Sequence, residues 1–136
     1  MLNIGFMQGR LSDMVEGKIQ SFPFSNWEKE FIIGSENNFN IIEWTIDSID
    51  IFNNPIIRED LHTKIIDLKN IYSVEIPSIT CDFFMEKPFF KASNDKKIQR
   101  EQFLLSFLKK CSNLNIFKIV IPLVDNGRIE NLAHER

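Results

Sequence analysis

Polar residues stand where each of four apolar runs gives out: Gln8 and Arg10 after Ile4-Gly5-Phe6-Met7, Glu43 and Asp47 around Trp44, Thr80 and Asp82 after Ile76 to Ile79, and Asp125 and Asn126 after Ile119 to Val124. Acids with one arginine make up a polar binding site if their strands run parallel, because the carboxyl ends then point to one face and residues distant in sequence meet there. Arg10 offers a planar fork for a phosphate or carboxylate; its other reading is a surface ion pair. Asp47, Asp125 and Asn126 taken singly also suit helix caps or turns. Glu43 either faces the site or is a buried acid held by a neighbouring strand. Trp44 either forms an apolar wall of such a site or packs in the core.

The first connection, Gly9 to Phe24, is longer than the usual two to six or so residues, and long loops in α/β units tend to carry function. Lys18 and Gln20 lie on it and are candidates to cover a ligand. His62 falls on a predicted helix away from the strand ends, and His134 lies close to the last residue, so no histidine-rich metal site is built from these strand ends. His-Glu-x-x-His, Cys-x-x-Cys, Gly-x-Gly-x-x-Gly, Walker-type loops and Gly-x-Ser-x-Gly do not occur. Cys81 and Cys111 are read as reduced, buried thiols.

To position those residues the chain needs strands separated by helices. Apolar runs centred near Ile4, Ile42, Ile76 and Ile119 are each a helix-length segment apart, which predicts βαβ crossovers, a parallel sheet and an α/β class. The first helix is expected from Ser25 as cap, with Glu28 reaching back, to Asn37-Asn38. The second is expected to start at Asn54-Pro55, with Ile57, Leu61, Ile65, Leu68 and Tyr72 on one face. The third follows Ser93-Asn94-Asp95, carries Phe103, Phe107, Cys111 and Leu114, and stops at Asn115. Strands are expected over Asn40–Trp44, Val74–Asp82 and Phe117–Val124, the last apolar enough to be covered on both faces. Pro77 and Pro122 each remove a ladder donor and predict a bulge or irregular pairing. Arg128 to Arg136 reads as the start of a fourth helix.

With 136 residues the chain fits one domain. Thirteen Phe against one Tyr predict a phenylalanine-rich core. A net charge of −3 provides no overall basic field for nucleic acid, and no stretch approaches the ~18 apolar residues of a membrane span. The amino terminus lacks a signal-peptide pattern, so a cytoplasmic location is expected.

Gln8-Gly9-Arg10-Leu11-Ser12, Gly17 to Pro23, Trp27 to Phe31 and Asn40-Ile41-Ile42-Glu43-Trp44 resemble the opening of the sugar phosphate isomerase/epimerase family, a xylose-isomerase-like TIM barrel. Ser78 to Met85 and Val120 to Asp125 are similar to its third and fourth strand ends. Asn37-Asn38 departs from it, standing where the family usually has a glycine. The resemblance implies a half-barrel of about four strands and three to four helices, since a full barrel takes about 250 residues. It also implies a divalent metal held by carboxylates and a histidine of the later strands, and carboxylate bases moving a proton through an enediolate. Gln8, Arg10, Glu43, Trp44, Asp82 and Asp125 would then be substrate-contacting residues for a sugar or sugar phosphate. No metal is expected to bind tightly to these residues alone, and the isolated chain is expected to be inert. Self-association, or pairing with a carboxyl-terminal half, is expected to cover the open edges. The alternatives are a half-barrel without turnover serving as an interaction module and, last, an apurinic-endonuclease-like protein, which needs early histidines and a basic face.

Overall fold

A computed structural model describes residues 3–18 and 21–130. In chain order these form β1 (Gly5–Met7), α1 (Trp27–Glu36), β2 (Ile41–Ile46), α2 (His62–Tyr72), β3 (Glu75–Cys81), α3 (Asp82–Glu86), α4 (Asn94–Asn113) and β4 (Lys118–Val120). The strands make one parallel sheet in the order β1-β2-β3-β4. Sequential order without reversal, combined with right-handed crossovers, keeps the connecting helices on one face, an arrangement compatible with half of a (βα)₈ barrel.

Alternation along the strands divides the sheet into two unlike faces. Ile42, Trp44 and Ile46 of β2 and Ile76, Ile79 and Cys81 of β3 join Phe31, Ile65, Phe107 and Cys111 of the helices in a single core. Phe6 and Ile119 pack against its margin, so they belong to the helical side rather than the open one. The opposite face carries Glu43 and Thr45 in register with Ser78 and Thr80, followed by Lys118 and Val120 on β4. The open face is therefore largely polar through its middle.

The irregularity expected at Pro77 is present. Ile41 pairs with Glu75 but Glu43 with Ser78, so β3 spends one extra residue there. That bulge resets the alternation and lets Ile76 and Ile79, three apart, both face the helices. Left-handed Asn38 (φ 61°) and Asn115 (φ 59°) end α1 and α4 as anticipated.

Five expectations are corrected. α1 starts at Trp27 rather than after Ser25: the Pro23 carbonyl accepts the Asn26 and Trp27 amides, both at 2.8 Å, and Glu28 pairs with Lys64 of α2 instead of reaching back. α2 starts at His62, because Asn54 spends its side-chain oxygen on the Trp44 indole (3.0 Å) and the Ile56 amide (3.1 Å), holding residues 54–61 in turns. β4 stops at Val120, two residues before Pro122, and Phe117, Ile121, Leu123 and Val124 are exposed rather than covered on both faces. Asp82 opens a short helix where a strand was expected to run on. Arg128–Glu130 are not helical, and residues 131–136, with His134, lie outside the described residues, as does Gln20.

Both cysteines are buried and free, and burial pushes each thiol up to about 12. They are inert packing groups at neutral pH.

Candidate functional site

Two polar clusters lie along β2 and β3, one at mid-strand and one at their carboxyl ends; β2 runs on to Ile46, so Glu43 stands within the strand rather than closing it. In the first, the Glu43 carboxylate accepts hydrogen bonds from the hydroxyls of Ser78 (3.2 Å) and Thr80 across the strand boundary. The two readings of Glu43 hold together: it is on the open face and a neighbouring strand holds it. Met7 lies in register beside it, and an Arg10 guanidinium nitrogen sits 3.8 Å from the Met7 sulfur. Arg10 lies at the surface and lines a shallow depression with Ser12, Asp13, Asn26 and Lys29.

The second cluster surrounds a cavity of about 340 Å³ lined by Lys18, Ser21, Asp47, Asp82, Met85 and Glu86, among others. Strand alternation continues to its carboxylates, since Asp47 and Asp82 follow Thr45 and Thr80 by two residues. Asp47 accepts the amides of Phe22 (2.9 Å) and Ile49 (3.1 Å), which ties the long first connection to the end of β2. Asp82 heads α3, and among the described residues no hydrogen bond reaches its carboxylate. Burial raises the proton affinity of both, with the neighbouring charges of Asp47 and Glu86 adding for Asp82. A carboxylate that is desolvated, crowded by like charge and facing a cavity holds a proton more tightly than an exposed one, the direction a general base needs.

The other expected site residues stand apart. Gln8 is fully buried, and its side-chain oxygen accepts the Thr45 amide at 3.2 Å, so it braces β1 against β2. Trp44 lies in the core among Phe22, Trp27 and Phe31, on the helical side of the sheet. Asp125 is exposed in the turn Asp125–Gly127 with a left-handed φ of 49°, and Gly127 of that turn is pressed against Met85 of α3.

Glu86 and Glu30 belong to the architecture of the site and were missed. Glu86 follows Asp82 by four residues, the signal of a shared helical face once the segment is read as a helix. Its carboxylate accepts the Ser48 hydroxyl. Glu30 lies three after Trp27 and four before Gly34 on the buried face of α1. It accepts the amides of Gly9 (3.0 Å) and Leu11 (3.2 Å) and the Ser12 hydroxyl (2.9 Å), so the loop bearing Arg10 wraps around an internal carboxylate. Gly9 permits this wrap, with a φ of 85° and the Ser21 carbonyl where a side chain would begin.

Among the described residues no three His, Cys, Asp or Glu side chains gather as a metal's donor set. The carboxylates here do not fit a metal centre by themselves. Compared with known proteins, the chain matches no family model and no curated sequence.

Proposed function

We propose that this chain forms the substrate-contacting, amino-terminal half of a sugar or sugar-phosphate isomerase or epimerase. The single observation that carries the reading is Asp82, a carboxylate of raised proton affinity without a hydrogen-bond partner among the described residues, in a cavity at the carboxyl end of a parallel strand. The chemistry of an enediolate route asks for such a base beside the carbonyl carbon. Asp47 and Lys18 supply hydroxyl- and phosphate-binding groups around it, with Glu43 further along the same sheet face and Arg10 a second anion fork. A binding half-barrel without turnover is the second reading, favoured by the lack of a three-donor metal cluster among the described residues.

Titration of fructose 6-phosphate and of fructose, followed by backbone amide shifts, tests the proposal. Shifts should cluster on Glu43, Asp47 and residues 78–86, and Asp82→Asn should weaken binding about tenfold while leaving the fold intact, since it removes a buried charge. Shifts elsewhere, or affinities equal in the variant, would overturn it.

The same reading leaves the outer edges of β1 and β4 to be paired by another copy. Phe117, Val120, Leu123 and Val124 are exposed along or beyond β4, an apolar edge of the kind that recruits strands. Light scattering across a dilution series should find masses above the monomer at high concentration. A monomer throughout, with no hydrophobic dye bound, would defeat that expectation.

A further inference from the structure

A second cavity, of about 410 Å³, lies on the outer side between the turn after β2 and the start of α4. Three phenylalanine rings form its apolar part. Phe103 meets Phe52 edge-on at 6.5 Å and tilts against Phe83 at 4.9 Å, and Phe52 remains 72% exposed. This pocket draws its walls from elements near the middle of the sheet order, so its exposed ring is not a by-product of the open edges at β1 and β4.

Its polar part is cationic. Lys87, Lys96 and Arg100 line it without an acid among the lining residues, and Lys87 stands 5.1 Å from the centre of the Phe83 ring. Arg100 is steadied by the Pro88 carbonyl. From Lys87 to Arg100 the chain carries five cations against the single acid Asp95, although its net charge is −3. Charge so concentrated beside ring faces, on a protein that is otherwise acidic, selects a small planar anion by local field rather than by overall attraction.

We propose that this pocket binds a nucleoside monophosphate. A base is a flat π-system that stacks on exposed phenylalanine, as Phe52 offers, with the partly buried Phe103 edge-on behind it. The phosphate finds Lys96 and Arg100 within the same wall, and the Gln99 side chain, with both donor and acceptor, is placed to meet a base edge. The volume falls within the range of about 300 to 1,000 Å³ common for small-molecule sites. A simple sugar phosphate would leave the rings unused, and an uncharged aromatic would leave the cations unused.

The experiment is calorimetric titration of the chain with AMP, adenosine and ribose 5-phosphate, with amide shifts read at Gln99, Arg100 and Phe103 to locate binding. AMP should bind there at least about tenfold more tightly than either fragment, and more weakly as salt is raised. Phe52→Ala and Lys96→Gln, both at exposed positions that leave the core untouched, should each weaken AMP about fivefold or more. Asp82→Asn should leave AMP binding unchanged, which separates this site from the strand-end cavity. Equal affinity for AMP and ribose 5-phosphate, insensitivity to both pocket variants, or binding of single-stranded oligonucleotide with none of AMP would overturn the assignment.

Discussion

Trp44→Ala is expected to destabilise the chain by about 3 to 5 kcal/mol, the range for deleting a large aromatic from a packed core. The indole is fully buried, with ring centroids of Phe22, Trp27 and Phe31 at 5.4, 5.8 and 6.4 Å. Those rings come from the first connection and from α1, so one side chain ties β2 to two other segments. Its Nε1–H donates to Asn54, which holds the turn leading towards α2. Trp44→Phe should cost less, because it keeps most of the ring contact and Asn54 still accepts the Ile56 amide. Urea unfolding followed by circular dichroism measures both. Phe117→Ala, at a position 72% exposed, should fall within about 0.5 kcal/mol of the parent. A Trp44→Ala loss no larger than that of Phe117→Ala would contradict the packing described.

The second large effect is expected at Glu30. Glu30→Ala leaves the Gly9 and Leu11 amides and the Ser12 hydroxyl without their acceptor, and should cost about 3 kcal/mol. The same carboxylate makes stability depend on pH in a direction opposite to ordinary acid denaturation. Burial raises its native proton affinity, and the three hydrogen bonds only partly offset this. A carboxyl whose native pKa lies above its unfolded value binds more protons when folded, so stability falls as pH rises through that interval. Asp47 and Asp82 are raised for the same principal reason and add to the trend. Urea midpoints should therefore increase from pH 7 towards the ordinary carboxylate range near ~4.3. Further acidification should reverse the gain, as Glu59 and Asp60, held low by Lys110 and Arg58, lose those partners. Glu30→Gln should flatten the rise above that range. A variant with the parent's slope would show that Glu30 does not carry it.

Local signals specified the elements well wherever the physics is local. Left-handed Asn38 and Asn115 stop their helices because asparagine tolerates that conformation, whatever surrounds it. Ser93 precedes α4 as read, and the proline at position 77 marks a bulge because a missing amide cannot pair. Boundaries failed where a side chain had a choice of partner. Glu28 reads as half of a capping box, yet a lysine 36 residues away takes it; Asn54 reads as a helix start, yet an indole on β2 takes it.

The candidate site divides along the same line. That acids end β2 and β3 is a property of sequence order, and in a parallel sheet it places Asp47 and Asp82 toward one end, with Glu43 within β2 on the same face. Which of them is held, which is left with spare acceptors, and which expected partners turn away depends on contacts between residues far apart in the chain. Gln8 and Trp44 went to the brace and the core because strand alternation sends them to the helical side, where the rings of α1 and the first connection wait. Glu30 was hidden for the complementary reason: a carboxylate inside an amphipathic helix reads as misplaced until the loop that supplies its three donors has folded over it. Sequence by itself determined the parallel α/β order and the residue types at each strand end, since both follow from local patterning. Only the tertiary structure decided which carboxylate keeps its water and which gives it up, because desolvation is set by everything packed around a group and not by its neighbours along the chain.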